Sequence, residues 1–186
     1  MNYKSMLLGL MATVAVFQSQ PVQACTGITL TAKDSTRILA RTIEWGGSDL
    51  NSCYVVVPRG YTVQSYVPGG QDGMKFTAKY GYVGLAVEQK EFVAEGLNEE
   101  GLSAGLFYFP NYKSSSIADL QLVSWVLGNC KTVDEVMESL KQVHVVAIDP
   151  RASTVHWRFA DVSGRQVVLE IVDGELHFFE NNLGVL

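Results

Sequence analysis

The chain has 186 residues, of which 47% are hydrophobic and 18% are charged, and 14 basic against 19 acidic residues give a net charge of −5. This composition excludes a disordered or collagen-like chain, and the length favours a single domain. The acidic balance argues against nucleic acid as a main partner, because phosphate binding needs a basic face. Three cysteines are too few for a disulfide scaffold, and their odd number leaves at least one thiol without an internal partner.

Residues 1–24 are predicted to be a secretory signal and not a part of the fold. Lys4 is followed by an uncharged, mostly apolar stretch from Met6 to Phe17, which is too short to span a bilayer. Val22-Gln23-Ala24 places small or modest residues where signal peptidase reads the chain. Cleavage there makes Cys25 the first residue of an exported, periplasmic protein. A buried N-terminal helix is the alternative, and no later run is long enough to predict a membrane span.

The residues after position 24 alternate in polarity as strands do. Strands are predicted at 25–31 and 37–43, with Lys33-Asp34-Ser35 as the turn of a hairpin, and a short strand at 54–57 ends at Pro58. The segment 68–73 is predicted to be a surface turn without a phosphate-binding role. Three further strands are predicted over 82–87, 91–97 and 101–109.

Two helices and three more strands complete an α+β pattern. Ser116-Ile117-Ala118-Asp119 is predicted to be a capping box for a helix that runs to about Leu127. Thr132-Val133-Asp134-Glu135 is predicted to be a second capping box, and Val133, Val136, Met137 and Leu140 mark the core face of its helix. Strands are predicted at 154–160, 166–172 and 175–179, with turns at 161–164 and 173–174.

Familiar catalytic and metal-binding motifs are missing from the sequence. There is no CxxC, HExxH or GxSxG motif. The three histidines, His144, His156 and His177, lie far apart in or beside strands, where packed histidines are expected. We therefore predict neither a metal site nor a cofactor.

A cysteine that becomes the first residue of a chain combines a nucleophile with a base. The α-amine has a pKa of about 8, so a fraction is neutral at pH 7 and accepts the thiol proton before the thiolate attacks an acyl carbon. Arg41, on the predicted partner strand, favours the thiolate if it lies close, and Glu44 can orient the amine. Two alternatives stay open for Cys25. Val22-Gln23-Ala24-Cys25 resembles a lipobox, which predicts a surface lipoprotein with a binding role, and Cys25 can also be an ordinary buried thiol.

Five segments of the mature chain stand out together. They are Cys25-Thr26-Gly27-Ile28-Thr29-Leu30 with Arg41-Thr42-Ile43-Glu44-Trp45, Pro58-Arg59-Gly60, Gly96-Leu97-Asn98-Glu99-Glu100-Gly101-Leu102, Ser153-Thr154-Val155-His156-Trp157 and Asn182-Leu183-Gly184-Val185-Leu186. In this order, they resemble the choloylglycine hydrolase family, which contains bile salt hydrolases and penicillin V acylases. The resemblance covers the whole mature chain, and it looks like the secreted bile salt hydrolases of Bacteroides-type gut bacteria.

The resemblance implies a fold and a set of site residues. The fold is the N-terminal nucleophile hydrolase sandwich, an αββα arrangement of two sheets covered by helices, present in part over residues 25–186. Cys25 matches the nucleophile, which forms a thioester, and Arg41 matches the arginine beside it. Glu44 falls where the family usually has Asp, with the same charge for binding the amine. Tyr108 falls at an oxyanion position, which holds Asn in bile salt hydrolases of Gram-positive type and Tyr in penicillin V acylases.

The resemblance also implies a substrate and a missing half. Glycine- or taurine-conjugated bile salts are the favoured small-molecule substrates, and penicillin V or another acyl amide is the alternative that Tyr108 indicates. Full-length relatives are expected to form homo-oligomers. Their second catalytic Asn and Arg would fall beyond Leu186, so we expect an N-terminal part that is catalytically impaired, with a short loop at Pro110–Ser116. Cys53 and Cys130 match no catalytic role and are either a disulfide or buried free thiols.

Overall fold

The structure, a computed structural model, describes residues 25–44, 49–67, 71–108, 117–143, 145–146, 155–172 and 175–185. The predicted signal at 1–24, residues 68–70 of the predicted turn at 68–73, the expected short loop at Pro110–Ser116, His144 and the predicted turn at 173–174 lie outside the described residues. No helix within the described ranges is both long and apolar enough to cross a membrane.

Within the described residues, seven antiparallel strands form the central sheet. Their bounds are β3 Cys53–Val57, β6 Tyr82–Ala86, β7 Val93–Asn98, β8 Ser103–Tyr108, β11 Val155–Ala160, β12 Gln166–Val172 and β13 Glu175–Glu180. They lie side by side in the order β13-β12-β11-β8-β7-β6-β3. Branched and aromatic residues dominate these strands, because their side chains fit an extended, half-buried chain. Every one of these strands was predicted from the sequence, and the observed ends differ from the predicted ones by no more than about two residues.

Two helices, α1 (Leu122–Asn129) and α2 (Val133–Leu140), pack against one face of this sheet. Helix α1 lies closely over β7, where a Cβ at Gly96 would come within 2.4 Å of Leu127. Burying a large apolar side chain stabilises the fold by about 1.5–3 kcal/mol, so this layer supplies much of the stability. The core on this face includes Val93, Leu102, Ala104, Leu122, Val126, Leu127, Val136, Leu140, Trp157 and Phe159.

One of the two predicted helix starts is confirmed and the other is wrong. The Thr132 hydroxyl accepts the Glu135 amide at 3.2 Å, as a capping residue does. By contrast, Ile117–Ala118 form the short strand β9, parallel to β10 (Val145–Val146), and a 3₁₀ turn separates β9 from α1. The Ala118 amide donates to the Ser65 hydroxyl. Pairing with distant segments thus engages this stretch as a strand, and the helix begins only at Leu122.

Two hairpins flank the central sheet. The predicted hairpin is confirmed, with β1 (Gly27–Thr31) paired to β2 (Arg37–Arg41). The second, β4 (Thr62–Val67) with β5 (Gln71–Thr77), was not predicted, and residues 71–73 belong to β5 instead of a surface turn. The Gln64 side chain donates to the Gly73 carbonyl at 2.9 Å. Pairing across the hairpin therefore holds a segment whose glycine and polar composition is unfavourable for a strand.

The β1–β2 ribbon, comprising residues 27–41, packs on the sheet face opposite the helices. A Cβ at Gly27 would lie 2.8 Å from the ring of Phe107, so the backbone of β1 touches the sheet directly. On its other edge, β1 bridges Val185, and the Thr29 amide donates to the Gly184 carbonyl at 2.6 Å. The expected sandwich is therefore present in part: the described residues form one helix layer, the seven-stranded sheet and two strands of a facing layer.

Candidate functional site

The ribbon brings Cys25 and Arg41 to the same end of the molecule. Gly27 lies opposite Arg41, and the pairing continues toward Cys25 because the Thr42 amide donates to the Thr26 carbonyl at 2.9 Å. Strand alternation places Cys25 on the same face as Gly27. Diagonal neighbours across such a pair lie about 7–8 Å apart, a span that an arginine side chain covers. Cys25 is half-buried and its thiol is free.

The Arg41 side chain is fixed between the ribbon and the sheet. Only 6% of it is exposed. Its Nη1 donates to the carbonyls of Ala94, at 3.1 Å, and Leu106, and its Nε donates to the Thr42 carbonyl at 3.1 Å. The guanidinium carbon stands 4.2 Å from the centroid of the Phe107 ring. The packing therefore holds a positive charge rigidly beside β1, the strand that follows Cys25.

Glu95 and Arg158, which the sequence analysis did not predict, adjoin Arg41. Glu95 Oε2 lies 3.7 Å from Arg41 Nη1, and Glu95 Oε1 lies 3.5 Å from Arg158 Nη2. Burial raises the pKa of Glu95 more than the two arginines lower it. Burial lowers the pKa of Arg158, against the opposing effect of Glu95. One carboxyl group therefore lies between two guanidinium groups in a poorly hydrated position.

His156 lies in β11, directly opposite Phe107 of β8, and it is packed within the sheet as predicted. The two rings stack with centroids 5.8 Å apart and an interplanar angle of 5°. Burial, and secondarily Arg41, lowers the pKa of His156 to about 4. The imidazole is therefore neutral at neutral pH. His177 is half-buried and stacks on Phe179 in β13.

Glu44 is exposed and is linked to the N-terminal strand by hydrogen bonds. The Thr42 hydroxyl donates to Glu44 Oε1 at 2.7 Å, and the Thr26 amide donates to the same hydroxyl at 3.0 Å. This series of hydrogen bonds ends at the Thr26 amide, one residue from the nitrogen of Cys25. Thr42, which the sequence analysis left without a role, is the connecting residue.

Tyr108 is the last residue of β8, opposite Val155 in β11. It follows Phe107, so its backbone lies beside the groups that pack around Arg41. Its side chain is outside the described residues. An oxyanion role for this position stays a prediction.

The other cysteines take no part in this arrangement. Cys53 is exposed and Cys130 is buried, and both are free thiols, so a disulfide between them is not formed. Burial raises the pKa of Cys130 to about 11, which keeps that thiol protonated and inert. Within the described ranges, no three His, Cys, Asp or Glu side chains come together as metal ligands.

A sequence signal for the unpredicted charges exists in retrospect. Glu95 stands in Val-Ala-Glu-Gly and Arg158 in His-Trp-Arg-Phe, each a lone charge within a strand that is otherwise apolar. Such a charge is uncommon in a buried strand unless it is paired. The sequence therefore indicates that Glu95 and Arg158 each need a charged partner. It does not indicate that Glu95 is the partner of both Arg41 and Arg158.

Family comparison places the chain among known amide hydrolases. The family profile described as linear amide C–N hydrolases, choloylglycine hydrolase family, matches residues 25–186. A bile salt hydrolase/transferase of Clostridium perfringens is 30% identical over an alignment of 177 residues, which covers 87% of this chain and 52% of the relative. A penicillin V acylase of Pectobacterium atrosepticum is 27% identical over 77% of this chain and 43% of the relative.

Solved structures give the same match. A variant of the conjugated bile acid hydrolase from Clostridium perfringens superposes with a TM-score of 0.72 at 29% identity, over 87% of this chain and 52% of that one. Penicillin V acylase from Agrobacterium tumefaciens superposes with a TM-score of 0.72 at 24% identity, over 87% and 51%. The fold is therefore the N-terminal nucleophile hydrolase fold, in part, and the chain spans about half the length of the relatives it matches.

Proposed function

The chain belongs to the choloylglycine hydrolase family of linear amide C–N hydrolases, and we therefore propose that it carries the nucleophile of a cysteine amidohydrolase. The observation that supports this most is the buried side chain of Arg41, which is held in place opposite Gly27, at the end of the ribbon next to Cys25. A rigid positive charge beside a thiol favours the thiolate, which is the attacking species.

The proposed reaction uses the first residue of the mature chain as both nucleophile and base. Cleavage after Ala24 frees the α-amine of Cys25, and this amine accepts the thiol proton. The thiolate attacks the amide carbonyl, a C–S bond forms, the C–N bond breaks, and the departing amine takes the proton. Water then hydrolyses the thioester. Glu44, acting through Thr42, positions the N-terminal strand, and the backbone N–H at Tyr108 is the proposed oxyanion donor.

Conjugated bile salts are the proposed substrates. Two relatives named bile salt hydrolase/transferase, from Clostridium perfringens and Bifidobacterium longum, are 30% and 29% identical to this chain. Penicillin V is the second candidate, favoured by tyrosine at position 108 and by the relative named penicillin V acylase. Both substrates have an amide next to a bulky acyl group, so they share the reaction and differ in the acyl pocket.

We also propose that the protein is exported to the periplasm. For its full-length relatives, we expect homo-oligomers. The alternative of another class is a surface lipoprotein with lipid on Cys25. Mass spectrometry of the mature N-terminus separates the two, because lipid adds hundreds of daltons and removes the nucleophile. An unmodified N-terminal Cys25 supports the enzyme, and a lipidated one excludes it.

The decisive test is acylation of Cys25 itself. Incubated with taurocholate or glycocholate, the chain is expected to form a cholyl thioester on Cys25, and with penicillin V the corresponding phenoxyacetyl thioester. We expect Cys25→Ser to lose the thioester adduct, because a hydroxyl is a far weaker nucleophile than a thiolate. The matched control, Cys53→Ser, removes an exposed thiol and should behave as the parent chain. Acylation of Cys53 in preference to Cys25 would falsify the assignment.

A further inference from the structure

Two arginines share one buried acid beneath the N-terminal strand. Arg41 comes from β2, Glu95 from β7 and Arg158 from β11, and we call these three residues the charge cluster. The Arg41 and Arg158 side chains are 6% and 1% exposed, and that of Glu95 is 21% exposed. With all three groups ionised, the charge cluster has one positive charge in excess.

Arg158 lies against the backbone of the N-terminal strand β1. Its Nη1 is 2.9 Å from the place where a Cβ of Gly27 would sit. Cys25 is two residues further along the strand, about 7 Å away at the usual rise. At this distance, in a poorly hydrated site, the excess positive charge of the cluster interacts with the side chain of Cys25.

Arg158 does not make the hydrogen bonds expected of a structural arginine. Within the described part of the chain, its Nε, Nη1 and Nη2 have no hydrogen-bond partner. It is held by the charge of Glu95 and by the Phe107 ring, whose centroid is 5.2 Å from the guanidinium carbon. Burying a guanidinium is costly, and an apolar side chain of similar volume would pack in this position without that cost.

We propose that Glu95 and Arg158 are positioning residues for Arg41. Glu95 bridges the two guanidinium groups, and Arg158 balances the carboxylate so that the charge of Arg41 is not cancelled by Glu95. The charge cluster then presents a net positive charge to Cys25. This inference rests on the proposed function in taking Cys25 as the nucleophile.

Few other titratable groups face the charge cluster. His156, from β11, is stacked on Phe107 and is neutral above a pKa of about 4. The Ser103 hydroxyl lies 3.4 Å from Glu95 and is not charged. Glu44 is exposed beyond Thr42, on the solvent side of the ribbon. The charge balance near neutral pH is therefore set by the cluster's own members together with Cys25 and its amine.

The test measures thiol reactivity in the exported chain, in which Cys25 is the first residue. Iodoacetamide alkylation at pH 7 is followed by mass spectrometry at Cys25, with exposed Cys53 in the same molecule as the internal reference. We expect Arg158→Met to lower the ratio of the Cys25 to the Cys53 rate by about three- to tenfold, because Glu95 then neutralises Arg41. The double variant Glu95→Gln/Arg158→Met restores one net positive charge, and its ratio should return to within about twofold of the parent chain.

A purely packing role for Arg158 predicts different results. An unchanged ratio in Arg158→Met, or a double variant as slow as the single one, overturns the proposal. Arg158→Lys extends the test if the methionine variant does not fold: it keeps the charge and loses the planar contact with Phe107, so a retained ratio supports positioning and a lost ratio supports packing. The proposed function fails separately, in the parent chain, if Cys25 there is no more reactive than Cys53.

Discussion

At the scale of single residues, burial changes the charge state of the groups around Arg41. Glu95 and His156 are both pushed toward their neutral forms by desolvation, although one is an acid and the other a base. Arg41 lowers the pKa of both groups, which favours the ionised carboxylate of Glu95 and the neutral imidazole of His156. The pH dependence of stability is therefore the sum of opposing contributions.

His156 provides a prediction of acid sensitivity. Its pKa is about 4 in the folded chain and 6.5 in the unfolded chain, so the unfolded state binds an additional proton between these values. Stability should therefore fall as the pH drops from about 6.5 to about 4, by roughly 1–2 kcal/mol after allowance for partial solvent exposure. His156→Phe keeps the stacked ring and removes the proton site.

The measurement is thermal unfolding of both proteins between pH 4 and 7.5. The parent chain should lose stability more steeply than His156→Phe below pH 6.5. Glu95, whose raised pKa gives the opposite trend, is present in both proteins and cancels in the comparison. Parallel curves would contradict a depressed pKa for His156.

At the scale of elements, the ribbon and the sheet touch at Gly27 with no ribbon side chain between them. Gly27 brings the backbone of β1 against Phe107 and Arg158, and the same contact sets the height of Cys25 above the sheet. The position has no left-handed backbone angle, so glycine is needed there for space and not for conformation.

Gly27→Ala is expected to separate the ribbon from the sheet. The added Cβ would lie 2.8 Å from Phe107 and 2.9 Å from Arg158, which is too close for any Cβ. We expect a loss of about 1–3 kcal/mol of stability, typical of overpacking, together with slower alkylation of Cys25. Urea unfolding measures the first effect and mass spectrometry the second.

Gly81→Ala is the matched control for this prediction. Its Cβ would meet its nearest neighbours at 3.5 Å, which is ordinary contact, so the change in stability should stay within about 0.5 kcal/mol. Equal stability of the two variants would show that Gly27 is not needed for close packing.

At the scale of the whole molecule, the two faces of the central sheet are covered unequally. The helices cover one face, but the ribbon covers only part of the other. Near the β3 edge, an apolar patch stays exposed, and its residues come from β3, β6 and β7. The patch comprises Tyr54 at 85% exposure, Val56 at 70%, Val83 at 52%, Leu97 at 49% and Leu85 at 38%.

Self-association of the 186-residue chain is expected through this patch. Contiguous apolar surface of this kind promotes association in water, and so does the edge strand β3, which has no outer partner among the described strands. Sedimentation equilibrium between about 1 and 100 μM, the range in which weak contacts appear, should show species larger than the monomer. Val56→Lys/Val83→Glu should return the chain toward the monomer.

Val162→Lys is the control for the association experiment, because Val162 is 76% exposed in a turn outside the patch. It should associate as the parent chain does. A parent chain that stays monomeric over the whole concentration range would contradict the prediction, and so would a control that dissociates as fully as the patch variant.

The comparison of sequence and structure separates local from distant causes. The Thr132 cap was predictable because its hydrogen bond to Glu135 closes within one turn. The start of α1 was not predictable in the same way, because Ile117–Ala118 pair with 145–146 and the chain near Ser65. A local pattern decides an element's start only where no distant pairing competes for the same amides.

By itself, the sequence determined the strands of the central sheet, the β1–β2 hairpin, the start of α2, the resemblance to an amide hydrolase family and the candidate pair of Cys25 and Arg41, since alternation and motif order are properties of neighbouring residues. Only the tertiary structure decided that β8 lies between β7 and β11, and hence that Glu95, Phe107 and Arg158 meet under the ribbon. The physical reason is that strand order in a sheet depends on which distant strands gain most by pairing and packing, and no local pattern carries that information.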